Sequence, residues 1–575
     1  MHRRQFLKSL ASLPLAYAVT SPLQGAFAQT APFPTTGGYR SLFPKLPAAQ
    51  FAEEDLIRLA NGAGPDLPGM SAAAEMLTDA NDQPLRNEAG EVILSATHET
   101  ELDDEENYGL PAGFTYLGQF ADHDITFKAD DAFAVKGQDG VNHRSARFDL
   151  DSLYGAGPGL QPFLYNADGR TLARGRALTQ GGRPSASFDH PRVDGVAVIA
   201  DKRNDENVLV SQIHGAFASF HNALAQDRPK SSFEELRQMV TWHYQWMLLT
   251  DFLPRLCGEK AMHRLLPALA DGRGPNCGRS RRTITADLRP GEMPLEFSDA
   301  AYRFGHSAIR SVYRLNAQMT GTAEEQRRNP AAAGRKFIFA AVDQAGLNGN
   351  RAFPEEWAID WGLFFETRGP MTPDQIALGA QKVQPSYKID TSLVNPLAFL
   401  PEFSQNGTPA AKTAEGFAKP KPGAIANLAL RNLMRGQASG LASGQDVARA
   451  MGYEPLSDED LMVGKATVEG LTANQSITAY GDSFKGQAPL WFYVLAEAQY
   501  TWCSRARRLK GDDLAKNTLP GHLGPVGGQL VAETFVALME LDPDSVLHAP
   551  RHWQPLYGQG SRFGMVDLVR TAGLG

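Results

Sequence analysis

Apolar positions recur at helical spacing through most of this chain. Phe114, Leu117 and Phe120 fall three apart and predict a helix over residues 116–128. Leu209, Ile213, Phe217, Phe220 and Leu224 recur at four, four, three and four, and predict a second helix with one buried face. Residues 233–253, rich in tryptophan and other aromatics, read as a core helix. Residues 301–315, 424–435, 488–498 and the aliphatic stretch beyond 523–533 read as further helices. Alternating strand patterns are few and short, and no period of 20–50 residues recurs. The predicted fold class is mainly α.

Polar residues interrupt three of these helices on one face each. On the first, Gln119, Asp122 and His123 are three or four apart and share a face. Asp124 is turned about 100° away and looks elsewhere. That face offers a neutral base, an amide and a carboxylate, although a solvated helix end fits the stretch equally well on its own. Arg203 and Glu206 lie one turn apart at the start of the second helix, and Arg303 and His306 one turn apart on the third. Gly305 leaves backbone room beside His306 for a flat, bulky ligand. His214 and His221, seven apart, read as hydrogen-bonded packing histidines.

A different chemistry is written into residues 145–155. Ser145, Asp149 and Asp151, with the Arg147 backbone carbonyl, present the oxygens a hard cation takes, and Asp124 would supply one more carboxylate. Taken alone, the same aspartates also suit the capping of a turn.

Composition narrows the class. At 575 residues the chain exceeds the size at which one core stops growing, so several packed sub-regions are expected. A formal charge of −8 without a basic block argues against nucleic acid as a partner. No apolar run of membrane-spanning length occurs. Arg3-Arg4-Gln5-Phe6-Leu7-Lys8, a modestly apolar segment and Ala26-Phe27-Ala28 resemble a twin-arginine export signal cleaved after Ala28, which implies a periplasmic or secreted protein. Residues 29–110, rich in proline, glycine and small residues, read as a wrapping arm. Residues 111–575 read as the main folded domain, with a Pro/Ala/Lys-rich linker at 405–423. Three cysteines without a Cys-x-x-Cys pair argue against structural zinc or iron–sulfur ligation; an oxidising compartment would allow one disulfide, most simply Cys257–Cys277. Walker-type Gly-x-x-x-x-Gly-Lys, His-Glu-x-x-His and Gly-x-Ser-x-Gly motifs are all missing, which removes the commonest nucleotide and hydrolase readings.

In order along the chain stand Gly118-Gln-Phe-Ala-Asp-His-Asp124, Asp149-Leu-Asp-Ser-Leu-Tyr-Gly155 and Arg203-Asn-Asp-Glu-Asn207. They are followed by His214…Phe217…His221-Asn222, Arg303-Phe-Gly-His-Ser307, Asn432-Leu-Met-Arg435, Pro489-Leu-Trp-Phe-Tyr493 and Leu523-Gly-Pro-Val-Gly-Gly528. This series resembles the animal-type haem peroxidases of the peroxidase–cyclooxygenase superfamily, including bacterial members, over roughly residues 110–545. The resemblance implies a haem b between two histidines. His306 is matched to the proximal iron ligand and Asn432 to the asparagine that accepts its other ring N–H. His123 is matched to the distal base, Arg203 to the distal arginine, and Gln119 to the amide at the halide position. Arg303 is matched to the partner of a haem propionate.

Asp122 and Glu206 match the two carboxylates that some members esterify to the haem. Asn207 stands where myeloperoxidase has a methionine bonded to haem, so that third link is expected to be missing. Asp124, Ser145, Arg147, Asp149 and Asp151 match a calcium site. The implied function is reduction of hydrogen peroxide and oxidation of a small halide, pseudohalide or phenolic substrate through high-valent iron. A fatty-acid dioxygenase of the cyclooxygenase-like branch, or a haem-binding or adhesion protein without turnover, are the alternatives. Against the dioxygenase stands residue run 360–365, which lies in the approximate region of that branch's radical tyrosine and contains none.

Overall fold

Packing of helix on helix makes this fold, with only short strands at its edges. The computed structural model describes residues 37–64, 66–71, 105–128, 141–319, 334–339, 346–369, 383–398, 400, 425–511, 513–558 and 562–575. The chain divides into Met1–Phe33 and Pro34–Gly575, and the fold is that of the second unit. The export-signal segment 1–28 and the linker 405–423 lie outside the described residues.

Seven helices frame the interior: α1 Glu53–Asn61, α2 Ala112–Ile125, α3 Val208–Asp227, α4 Phe233–Met247, α5 Leu428–Ala438, α6 Leu490–Ala506 and α7 Pro525–Leu541. Their ends follow local chemistry. The Asn207 side chain accepts from the amides of Leu209 and Val210 and so caps α3; such a cap is worth about 1 kcal/mol. Ser232 and Glu235 close a reciprocal capping box on α4. The heart of the core is aromatic. Phe120 of α2 stacks on Phe217 of α3 with centroids 4.8 Å apart, and Tyr244 of α4 stands edge-on to them at 6.1 and 5.4 Å. These rings fix α2, α3 and α4 against one another. At the periphery, Gly37–Arg40 runs between Val141–Asn142 and Glu292–Pro294 in a three-stranded sheet, and Glu106–Pro111 pairs antiparallel with Pro385–Tyr387.

Three predicted helices depart from expectation, each for an identifiable reason. The helix expected over 116–128 stops at Ile125 because Asn142 intercepts it. Its amide donates to the Ile125 carbonyl at 2.8 Å and its oxygen accepts from Phe127 N at 2.8 Å. The helix expected over 233–253 widens into a π turn at Leu248–Phe252 before resuming at Leu253–Cys257. Pro254 supplies no N–H to the preceding turn, and its ring crowds the carbonyl four residues back. The helix expected over 301–315 is only a 3₁₀ segment, Ala301–His306; beyond it Val312–Tyr313 pairs with Lys336–Phe337 as a short ribbon. All three cysteines are free thiols, so the Cys257–Cys277 disulfide does not form. Among the described residues no helix is long and apolar enough to cross a membrane.

Candidate active site

The site forms where α2 meets the turn that precedes α3. His123, 4% exposed, is carried on the face of α2 that looks toward the 3₁₀ turn Lys202–Asp205. Burial, reinforced by the Arg203 charge, pushes its pKa down to about 3 and keeps the ring neutral. Its Nδ1 lies 2.9 Å from Asn204 Oδ1, and its Nε2 lies 3.9 Å from Glu206 Oε2. Arg203 donates through Nη2 to the His123 carbonyl at 2.8 Å, and through Nε and Nη2 to the two oxygens of Asp201. Burial opposes ionisation of Asp201, yet Arg203 holds its carboxyl well below the usual carboxylate range. The sequence reading placed Arg203 and Glu206 on the first turn of a helix; they sit instead in the 3₁₀ turn and just after it, ahead of the Asn207 cap.

Gln119 joins the same mouth. Its amide donates to Glu206 Oε2 at 2.9 Å and accepts from Asn207 at 3.2 Å. At Asp122 burial raises the pKa, while the charges of Arg203 and Arg303 both act to lower it. The charges of the turn before α3 and of the 301–306 segment therefore both act on one carboxylate of α2.

The 301–306 segment is tied to α2 directly, since the Tyr302 hydroxyl donates to the Gly118 carbonyl at 3.2 Å. From the other side, Trp491 of α6 donates to the Arg303 carbonyl at 3.2 Å. His306 Nδ1 lies 2.8 Å from the Asn432 amide nitrogen, and Arg303 Nη1 donates to Asn432 Oδ1 at 3.3 Å. The amide is thus turned opposite to the orientation the resemblance implies, because Arg303 claims its oxygen. Burial, then Arg303 and Arg435, push the His306 pKa down to about 3. Among the described residues no protein group bonds its Nε2, and a methyl group added at Gly305 would meet open space. Free volume alongside suits a flat ligand, but with the Asn432 N–H on Nδ1 the neutral ring carries its proton on Nε2, so ligating a haem iron through Nε2 requires the Asn432 amide to turn over and accept from Nδ1.

Asp124, buried and facing away from His123, meets the predicted cation loop. One carboxylate oxygen each from Asp124, Asp149 and Asp151 fall within 4.8 Å of one another. Asp124 also accepts from Leu150 N at 3.1 Å and from Ser152 Oγ at 3.2 Å. Burial, then Asp149 and Asp151, raise its pKa, and burial with Asp149 lifts Asp151 to about 7. Three crowded carboxylates of this kind are relieved by a divalent cation. Ser145 donates to Asp149 at 3.2 Å, and the Arg147 side chain pairs with Asp542 and Asp544, leaving its backbone as the expected donor. Arg144 pairs with Asp151 at 3.0 Å and also with Asp201. Alternating charges thus run from the acidic trio through Arg144 and Asp201 to Arg203.

Sequence reasoning passed over Asp201, Arg144 and Asn204. Asn204 stood inside a quoted motif, between two residues that were selected, and nothing local set it apart. His214 bonds Asn204 at 3.2 Å, and His221 bonds the Tyr154 hydroxyl and the Arg170 carbonyl, so both are paired packing histidines.

The family model for animal haem peroxidase matches residues 128–342, a span that includes Asp149, Asp151, Arg203, Glu206, Arg303 and His306. A peroxidase-like protein of Margaritifera margaritifera is 32% identical over 125 residues, covering 20% of this chain and 14% of that protein. Human (Homo sapiens) thyroid peroxidase is 26% identical over 200 residues, covering 30% of this chain and 20% of that protein. The chain therefore spans between about a seventh and a fifth of the length of these curated relatives. Among solved structures, peroxidase A from Dictyostelium discoideum aligns over 86% of this chain and 92% of its own at 16% identity and a TM-score of 0.43. Oryza sativa fatty acid alpha-dioxygenase aligns over 94% and 85% at 14% identity and a TM-score of 0.43.

Proposed function

We propose that the chain is a member of the animal haem peroxidases, whose family model matches residues 128–342, and that it is an exported peroxidase that reduces hydrogen peroxide and oxidises a halide, a pseudohalide or a small phenol. One observation carries the reading. A buried neutral histidine, His123, stands beside the fixed charge of Arg203, and the segment tied to its helix presents His306, whose Nε2 no described residue bonds.

Bound haem b would supply the redox chemistry, taking two oxidising equivalents from peroxide and passing them to the reductant. His306 and Arg303 would hold the group, Arg303 through the planar fork that suits a propionate. His123 accepts a proton from one oxygen of hydrogen peroxide and gives it to the other, which leaves as water. Arg203 keeps positive charge beside the oxygen on which negative charge builds. Gln119, anchored on Glu206, presents its amide where a small anion would enter. Asp122 and Glu206 are the carboxylates available for ester links to the haem. Asp124, Ser145, the Arg147 carbonyl, Asp149 and Asp151 would hold calcium and so steady α2. Residues 1–28 direct the chain to the twin-arginine route and so to the periplasm or beyond.

The visible spectrum of the mature protein, taken before and after one equivalent of hydrogen peroxide, tests this. A Soret band that shifts with peroxide and recovers on adding bromide, iodide, thiocyanate or a phenol is the expected result. A protein without a Soret band after expression with haem supplied removes the reading. A band indifferent to peroxide leaves a haem-binding protein.

A further inference from the structure

We propose that Asn204 is the positioning residue that sets the tautomer of His123, placing the ring proton on Nδ1 and leaving Nε2 bare. The structural part stands on hydrogen bonding alone; its kinetic consequence rests on the peroxidase reading.

The direction of the Asn204 amide is fixed by its neighbours. Its nitrogen lies 3.5 Å from the Ser152 carbonyl and 3.2 Å from His214 Nδ1. A carbonyl only accepts, so the amide edge facing Ser152 must be the one that bears hydrogen. The oxygen is then the edge facing His123 Nδ1, at 2.9 Å. An amide oxygen carries no proton, so the hydrogen in that bond belongs to His123, and the second nitrogen of the neutral ring is unprotonated. The same logic leaves His214 Nδ1 bare and its proton on Nε2. Asn204 is fully buried, which removes water as a competing partner. Its backbone is held as well: the amide donates to the Asp201 carbonyl at 3.0 Å, and its own carbonyl accepts from His190 Nε2 at 3.2 Å. The His190 ring stands edge-on to His214 at 4.8 Å, closing the cluster.

A lock is needed because Glu206 pulls the other way. Its carboxylate oxygen, 3.9 Å from His123 Nε2, favours the tautomer with the proton on Nε2. In that form the ring points a filled N–H into the mouth of the site and has no lone pair there to receive a proton. Asn204 opposes the bias by offering an acceptor at Nδ1 only. Gln119 helps by occupying the same Glu206 oxygen at 2.9 Å.

Ring ¹⁵N signals of the histidine-labelled full chain report the tautomer without reference to turnover. They are recorded on the protein as isolated, with any haem reduced and carbon monoxide-bound to make it diamagnetic. The expected parent spectrum shows His123 protonated at Nδ1 and His214 at Nε2. Asn204→Leu is expected to move the His123 proton to Nε2 and to slow the reaction with peroxide by about 10²- to 10⁴-fold, the scale seen when a histidine base is held in the wrong tautomer. Asn204→Asp keeps an acceptor toward His123, so it retains the Nδ1 proton and recovers most of the rate. Because a carboxylate cannot donate, it moves the His214 proton to Nδ1. A parent His123 protonated at Nε2 overturns the proposal, and so does an Asn204→Leu protein whose His123 is unchanged. If Asn204→Leu does not fold, the parent and Asn204→Asp spectra decide. A parent that ignores peroxide removes the peroxidase reading, while the ring signals still settle the tautomer.

Discussion

The hydroxyl of Tyr302 donates to the carbonyl of Gly118 across 3.2 Å, joining the segment that carries His306 to the helix that carries His123. Tyr302→Phe removes the donor and leaves that carbonyl short of one partner. The expected cost is about 1 kcal/mol, read as a lower denaturant midpoint at unchanged slope. Haem should also leave the variant faster than the parent in a transfer assay. Parent-like haem loss would mean the two segments are held together by packing alone.

His123→Ala and His306→Ala should separate two roles. The first is expected to keep its Soret band and lose several orders of magnitude in the rate of peroxide reaction, on the order of 10³-fold. The second should bind haem poorly, with an altered spectrum. Stopped-flow absorbance distinguishes them; a His123→Ala protein reacting at the parent rate would move the base elsewhere.

Gly349 touches no site residue with a side chain, yet it lies on the back of the turn that holds the site. A methyl group there would stand 1.6 Å from the Asp205 carbonyl oxygen, inside any real contact. The segment is also bonded to the turn, through Gly349 N to Glu206 O at 2.8 Å and Asn350 N to Asp205 O at 2.6 Å. Gly349→Ala must therefore shift the turn, at a cost of about 1–3 kcal/mol. The peroxide reaction should slow while haem stays bound. Parent kinetics in a folded variant would show that the turn has slack.

For the acidic trio the test is metal removal. A chelator should lower the melting temperature, and calcium should restore it. Asp149→Asn relieves repulsion within the trio, so that variant is expected to be less sensitive to chelator than the parent. Since Arg144 links Asp151 to Asp201, the stripped parent should also react more slowly with peroxide. Identical melting curves with calcium and with chelator would leave the trio as turn chemistry.

Glu497 gives a pH dependence of definite sign. Its carboxyl accepts from the amides of Val526 and Gly527 at the start of α7, and burial, against those hydrogen bonds, raises its pKa from 4.5 to about 7. A group raised in the folded state binds its proton more tightly there than in the unfolded chain. Its contribution is therefore fully present below about pH 4.5 and is lost as pH rises toward 7, by about 3 kcal/mol at most. Glu497→Gln should flatten stability against pH across that window, measured as the difference from the parent. An unchanged difference at every pH would mean that the carboxyl titrates normally.

Periodicity made much of this legible. The aromatic spacing of α2 and α3 predicted both helices and which faces they bury, and the alternation of oxygen-bearing residues found the two aspartates, Asp149 and Asp151, that meet Asp124. Hidden were features set by partners distant in the chain. Asn142 ends α2 from seventeen residues beyond Ile125, and Asn204 finds His123 eighty-one residues back; neither leaves a periodic trace. The 3₁₀ form of Ala301–His306 was also concealed, because Arg303 and His306 are one turn apart in either kind of helix.

The turn Lys202–Asp205 holds His123 twice, by its ring through Asn204 and by its carbonyl through Arg203. A displacement of α2 relative to α3 would carry the ring and the guanidinium along together. Their separation is thus set by hydrogen bonds to one turn, not by how tightly the helix pair packs.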